Sequence, residues 1–209
     1  IYYSVNHYIL SVSYYMLKKV ATAFTLINLI YFSLLQVALA DDNEALNAVY
    51  NQFSDAFNEL DASRMKSIYS EDACYIPESQ GEGITMGRDK IVALYDTFFG
   101  KIKHKNAKIE VDFRVIERNI EGSSATDIGY YLIRFHPPID NGEPSSEFAG
   151  KFVGVSKKKN DGKWYLTVDT NNRAEASFYY NAKPSPNLYY GRQFPALSQQ
   201  SVPSNHDQH

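Results

Sequence analysis

The chain has 209 residues, of which 44% are hydrophobic and 22% are charged, and its formal net charge is −3. This balance is that of an ordinary globular protein with room for one domain and tails. The small negative charge gives no general attraction to nucleic acid, so we expect no nucleic-acid partner. Cys74 is the one cysteine, which excludes a disulfide or a multi-cysteine metal site within these residues.

Residues 16–40 have the three parts of a secretory signal peptide: a positive start at Lys18 and Lys19, an apolar run and a small-residue cleavage site. We expect cleavage after Ala40 and a secreted or periplasmic protein with no stable membrane anchor. An uncleaved anchor is the alternative, because the apolar run approaches the roughly 20 residues that cross a bilayer. Residues 1–15 contain no methionine, and we predict that they are upstream, non-native sequence.

Three helices are predicted next. The first carries apolar residues at the i, i+3, i+4, i+7 spacing of one helix face, which we interpret as core packing: Leu46, Val49, Tyr50, Phe53, Phe57 and Leu60. A short second helix is predicted over 64–70 and a third over 88–100, where Gly100 is a typical helix stop. Between them, 73–77 predicts a short strand and the glycine-rich 78–87 a turn or hairpin loop.

Beyond the third helix the apolar period changes from helical to alternating, which predicts β-strands. Four strands are expected, over 109–115, 125–136, 148–158 and 164–171. Asp161 and Gly162 form a favoured hairpin pair between the last two. Helices followed by a strand meander indicate an α+β fold, with three N-terminal helices packed on a curved antiparallel sheet.

The predicted domain covers 41–180 and is followed by a tail. Residues 181–209 are rich in Pro, Ser, Gln and Asn and show almost no periodicity. We predict that they are disordered or loosely docked. Tyr189, Tyr190 and Phe194 are the candidate tethers.

Four short motifs carry a family resemblance across about 44–174. They are FNELD at 57–61, IYSEDA at 68–73, GRDKI at 87–91 and DGKW at 161–164. Together they resemble the nuclear transport factor 2-like (NTF2-like) cone fold, in its SnoaL-like and ketosteroid-isomerase-like branch. The resemblance implies a cone-shaped pocket and a homodimer formed through the exposed sheet face. It does not imply one function, because the fold hosts isomerases, dehydratases, cyclases and noncatalytic binding proteins.

The isomerase mechanism that the resemblance offers is not matched by these residues. Its proton-shuttling aspartate aligns with Pro77, which Glu78 follows, and its helix tyrosine aligns with Phe53. Its strand carboxylic acid falls at 152–154, where no carboxyl is present. Glu78 and Asp169 remain as candidate catalytic residues, and no metal site or cofactor is predicted.

The leading hypothesis is a small hydrophobic ligand bound in the cone pocket. The candidate pocket residues are Phe53, Phe57, Tyr75, Phe98, Tyr130, Lys151, Asp169 and Asn171. The alternatives are a cofactor-free isomerase or lyase acting on a hydrophobic substrate, and a protein-interaction domain whose pocket is filled by its own core. Asp169 and Asn171 are of special interest, since polar residues buried in a strand need partners.

Overall fold

A computed structural model of the protein describes most of the chain. The described residues are Lys19, 42–79, 81–192, Phe194 and Leu197. Apart from Lys19, the predicted segments 1–15 and 16–40 therefore lie outside the described residues, as does most of 193–209. No helix in the described part is long and apolar enough to cross a bilayer.

The chain divides into two units, 1–44 and 45–209. In the first unit, the described residues are Lys19 and 42–44, and all of them are helical. The domain described below belongs to the second unit.

Helix α1 (42–59) buries one apolar face, as its spacing predicts. Val49, Phe53 and Phe57 recur at intervals of four residues and all lie in the main hydrophobic core. The helix ends at Leu60, which takes a positive φ of 52°, and the Asp61 amide donates back to the Ala56 carbonyl at 3.0 Å.

The second helical segment is shorter than predicted. A 3-10 turn (Ala62–Arg64) leads into α2 (Met65–Ile68), and strand β1 (Tyr69–Ile76) begins at once. Tyr69 is fully buried and pairs with Leu166 of the last strand. Burial of this ring in the sheet therefore overrides the weak helical pattern around it.

Helix α3 (Arg88–His104) follows the two-residue strand β2 (Thr85–Met86) and runs through its predicted end. The expectation that Gly100 stops the helix is wrong. A glycine in a helix costs about 1 kcal/mol relative to alanine. Beyond Gly100 the continued helix buries Ile102, and burial of one such side chain, worth about 1.5 to 3 kcal/mol, outweighs that cost.

The sheet has six strands in the order β2-β1-β6-β5-β4-β3. Its long strands are β3 (Lys108–Glu121), β4 (Ser124–His136), β5 (Ser146–Lys158) and β6 (Trp164–Ala174). The α+β class is confirmed, with one difference: β1 pairs with β6 in parallel, so the sheet is mixed. Bulges after Val115 and Val155 interrupt the ladders, and such bulges bend strands.

The two faces of the sheet are covered differently. Helices α1 and α3 pack on the inner face, where Ile109, Val111 and Leu166 join the main core. A fourth helix that the sequence did not indicate, α4 (Ala176–Asn181), packs its buried Tyr179 against Leu132 and Ala149 on the outer face.

The segment after α4, which we call the strap (182–192), lies along the free edge of β3. The Val115 amide donates to the Tyr189 carbonyl at 2.9 Å, and the Gly191 amide donates to the Phe113 carbonyl at 3.1 Å. This docking supplies backbone partners to an edge strand that otherwise has unpaired groups. The described part of the predicted tail is thus held at defined positions.

Two charged residues of β3 are buried beneath α4 and the strap. The Arg114 guanidinium lies between the rings of Tyr179 and Tyr190, 4.1 and 4.4 Å from their centroids. Asp112 accepts hydrogen bonds from the Tyr179 hydroxyl and from the Arg192 amide. Charged residues that alternate with apolar ones along a strand ordinarily face solvent, but here α4 and the strap cover this side of β3.

Candidate functional site

A cavity of about 390 Å³ lies between α1, α3 and the inner face of the sheet. Its volume falls in the range of small-molecule sites, about 300–1,000 Å³. Ten of its lining residues are aromatic, and they come from both helices and from four strands. The aromatic lining consists of Tyr50, Phe53, Phe57, Tyr75, Tyr95, Phe98, Phe113, Tyr131, Phe148 and Phe152.

Six of the eight predicted pocket residues lie around this cavity. They are Phe53, Phe57, Tyr75, Phe98, Asp169 and Asn171. The candidate Glu78 also lines it, from the loop after β1. The structure therefore brings both carboxylate candidates, Glu78 and Asp169, to one cavity.

Tyr130 and Lys151 do not line the cavity, so the prediction that they are pocket residues is wrong. They are paired with each other across β4 and β5, on the outer face. Because side chains alternate along a strand, the inward neighbours are Tyr131 and Phe152. Tyr130 instead stacks on Phe178 of α4, with 5.8 Å between ring centroids.

Asp169 of β6 brings a half-buried carboxyl group to the cavity. Its Oδ2 accepts a hydrogen bond of 2.5 Å from the Tyr69 hydroxyl, whose oxygen lies 3.4 Å from that of Tyr95. Burial raises the pKa of Asp169 to about 6, although the Tyr69 hydrogen bond acts to lower it. The carboxyl therefore changes charge near neutral pH.

A second polar group of the cavity is formed by Glu78, Tyr131 and Asn171. Glu78 accepts from Nε of the exposed Arg173 at 2.9 Å, while its other carboxylate oxygen has no partner among the described residues. Burial, followed by the charge of Glu78, holds the pKa of the Tyr131 hydroxyl well above its ordinary value. Asn171 donates weakly to the Tyr75 hydroxyl at 3.5 Å.

The tyrosine that α1 brings to the cavity is Tyr50, one turn before Phe53. Its hydroxyl donates to Asp127 Oδ2 at 2.7 Å, and Arg118 binds both oxygens of that carboxylate at 2.6 and 2.7 Å. The Tyr50 hydroxyl is therefore already hydrogen-bonded to a buried ion pair. Tyr50 contributes its ring to the cavity rather than a free hydrogen-bond donor.

Neither of the two histidines in the described domain lines the cavity. His104 ends α3 and is exposed. His136 lies at the end of β4, where its Nε2 is 2.8 Å from Glu110. The described residues contain no group of three or more His, Cys, Asp or Glu arranged to hold a metal ion. The carboxyl and hydroxyl groups that line the cavity can form hydrogen bonds and exchange protons.

The polar residues that sequence reasoning missed are chiefly tyrosines. Nothing local in the sequence indicates that the hydroxyls of Tyr69 and Tyr95 meet near Asp169. Tyr131 was missed because Tyr130 and Leu132 make the other face of β4 equally apolar. The two faces of β4 can be told apart only from the observation that α4 covers the outer one.

Comparison with solved structures gives the same architecture. A conserved protein from Planctomyces limnophilus superposes with a TM-score of 0.54 at 19% identity, covering 64% of this chain and 97% of its own. An NTF2-like protein with a cystatin-like fold from Novosphingobium aromaticivorans gives 0.57 at 15% identity, covering 69% and 90%. ActVI-ORFA from Streptomyces coelicolor gives 0.54 at 14% identity, covering 62% and 95%. At these identities the likeness concerns the fold alone.

Comparison with curated proteins finds none that matches. The family of the SnoaL-like domain matches residues 46–168, which run from α1 into β6 and span most of the cavity wall. The matched range stops within β6, before α4 and the strap. From its matched range the chain belongs to the SnoaL-like domain family, and its fold is that of the NTF2-like structures.

Proposed function

We propose that this domain binds a small, largely apolar molecule in the cone cavity. The observation that carries the proposal is the cavity itself, about 390 Å³ of space walled by aromatic side chains. A wall of this kind offers a large apolar contact area, and a few polar groups orient the ligand. The alternative of an interaction domain with a filled pocket is disfavoured by the same space.

Binding of naphthylethanol, a neutral aromatic probe, tests the proposal by titration calorimetry. The matched variants are Thr97→Trp and Asp96→Trp, neighbours on the exposed side of α3. Thr97 lines the cavity, whereas Asp96 does not. We expect saturable binding that Thr97→Trp weakens by about tenfold or more, because the indole occupies the space, and that Asp96→Trp leaves unchanged. Absence of binding, or equal effects of the two variants, contradicts the proposal.

A second function, proton transfer on a bound substrate, is favoured by Asp169. Its pKa of about 6 suits a group that exchanges protons near neutral pH. Its carboxylate would take a proton from a carbon beside a carbonyl. The Tyr131 hydroxyl, from a residue that lines the same cavity, would donate to the oxygen that becomes negative.

Deuterium exchange at the α-carbon of β-tetralone, followed by proton NMR in heavy water, tests this second function. We expect protein-catalysed exchange that increases as the pH rises through about 6, when the carboxylate forms. Asp169→Asn should abolish the catalysed exchange and Tyr131→Phe should slow it. If Asp169→Asn leaves the catalysed exchange intact, a residue other than Asp169 is the base.

We also propose that the protein is secreted or periplasmic, on the pattern of residues 16–40. Expression of the full chain and intact-mass analysis of the exported fraction tests it. A mature N-terminus at Asp41 is expected, and retention of residues 16–40 in the exported protein contradicts cleavage after Ala40.

A further inference from the structure

We infer that the ligand of the cavity carries a protonated amine on its apolar skeleton, bound with the ammonium group against Asp169. This inference rests on the proposed function, since it names the chemical class of the molecule that the same cavity binds. Three features carry it: an uncompensated carboxylate, a surrounding set of aromatic rings, and the sign of the other charges in the wall.

The Asp169 carboxylate has no cationic partner. Its Oδ2 accepts from the neutral Tyr69 hydroxyl, and its Oδ1 has no hydrogen bond to any described residue. Burial and that one hydrogen bond are the influences on its ionisation, without a contribution from Arg, Lys or His. A buried unpaired charge is unfavourable, and it becomes favourable when a cation with donor groups is brought against it.

The elements packed around Asp169 present tyrosines rather than cations. Tyr75 is its register partner on β1, and Gly154 is its partner on β5. Tyr95 of α3 lies 6.4 Å, between ring centroids, from Tyr75 and from Tyr69. Burial is the main cause of the raised pKa of these three tyrosine hydroxyls, and the negative charge of Asp169 adds to it.

Tyr50 of α1 and Tyr131 of β4 line the same cavity as Asp169, and burial is the main cause of their raised hydroxyl pKa. The cavity that Asp169 lines is thus walled by aromatic rings from α1, α3, β1 and β4. Aromatic faces attract ammonium groups, and a ring of them combined with a carboxylate is a recurrent way to bind organic cations.

The remaining charges of the wall are mainly negative. Glu78 and Glu82 line the cavity together with Asp169, and Lys101, exposed on α3, is the one cation among the described lining residues. Arg173 is also exposed and is paired with Glu78. An anionic ligand would therefore meet repulsion, and a neutral ligand would leave Asp169 uncompensated.

Three probes with the same ring system test the inference: naphthylethylamine, naphthylethanol and naphthylacetic acid, which are cationic, neutral and anionic. We expect calorimetric titration at about pH 8 to give an affinity about tenfold or more higher for the amine than for the alcohol, with the acid weakest. An alcohol or acid that binds as tightly as the amine overturns the inference and leaves the proposed function standing. If none of the three binds, both fail.

Two variants test whether the preference for the amine depends on the Asp169 carboxylate. Asp169→Asn keeps the shape of the side chain and an oxygen for Tyr69, so the alcohol should still bind while the preference for the amine is lost. Asp96→Asn removes the same charge from the exposed side of α3, outside the cavity, and should leave the preference intact. A preference that survives in Asp169→Asn overturns the inference.

The unmodified protein supplies a test that does not depend on the folding of a variant. Lowering the pH from about 8 to about 5 protonates Asp169 and leaves the amine charged, so amine affinity should fall about tenfold. Alcohol affinity should change little. An amine affinity that stays constant across this range overturns the inference.

Discussion

The Asp169 carboxyl group accepts a hydrogen bond from one neutral hydroxyl, and its raised pKa makes the stability of the protein depend on pH. Its pKa of about 6 in the folded protein lies above the ordinary aspartate value of about 3.9 in an unfolded chain. The folded state therefore binds this proton more tightly than the unfolded state does. Its contribution to stability is fully present below about pH 4 and is lost as the pH rises through about 6.

Asp169→Asn should consequently stabilise the protein at high pH. We expect its free energy of unfolding to exceed that of the unmodified protein by about 1 to 3 kcal/mol at about pH 8, because the uncompensated charge is gone. The two proteins should be equally stable near pH 4, where Asp169 is neutral. Urea unfolding at both pH values measures this, and a difference that does not vary with pH contradicts it.

At the scale of elements, α4 and the strap bury the outward face of β3. An outward strand face with Asp112 and Arg114 is ordinarily solvated, but here both side chains are buried. Both side chains form hydrogen bonds with residues at least 65 positions later in the chain, Tyr179 and Arg192. The strap is thereby a specific structural element, because Asp112 loses the Arg192 amide and Arg114 loses the Tyr190 ring if the strap leaves.

Gly191→Ala should release the strap. A Cβ at this position would collide with the Asp112 carboxylate, which is fixed by Tyr179 and by the Arg192 amide. We expect a loss of about 1 to 3 kcal/mol in unfolding free energy and faster hydrogen exchange at the Val115 amide, which donates to the strap.

Gly100→Ala is the matched control for this variant. It makes the same change on the exposed side of α3, where no atom lies within 4 Å of the added methyl group. Stability should be unchanged or higher by up to about 1 kcal/mol. If hydrogen exchange at the Val115 amide is equally fast in Gly191→Ala and in the unmodified protein, the strap accommodates the methyl group and the prediction is wrong.

At the scale of the whole molecule, part of the outer sheet face is left uncovered by α4. Ile128 and Phe178 are exposed there by 44% and 52%, and Tyr130 stacks on Phe178. We propose that a second copy of the chain covers this part, in keeping with the homodimer that the family resemblance implies. Clustered exposed apolar side chains favour association.

Ile128→Lys should therefore convert a dimer into a monomer in light scattering coupled to size exclusion. Burial of a charge at the centre of an apolar contact costs several kcal/mol. The same substitution at Ile139, which is 97% exposed in the loop after β4, is the control and should leave the dimer intact. A monomeric parent protein contradicts the proposal outright.

Local patterns predicted much of the cavity but not its polar chemistry. Phe53, Phe57 and Phe98 follow from helical spacing, because an amphipathic helix has one apolar face and only that face turns to the core. Tyr69 and Asp169 are 100 residues apart, and their hydrogen bond depends on the parallel pairing of β1 with β6. No local pattern reports such a pairing.

Periodicity and turn chemistry, which act over a few residues, are enough to predict the α+β class, the aromatic inner faces of α1 and α3 and the positions of the long strands. Three features become apparent only from the packing of the folded chain. Tyr131 and not Tyr130 faces the cavity, Asp112 and Arg114 are buried, and Asp169 has no cationic partner among the described residues. Each of these depends on what covers a strand from a distant part of the chain, and burial of that kind is a property of packing rather than of local sequence.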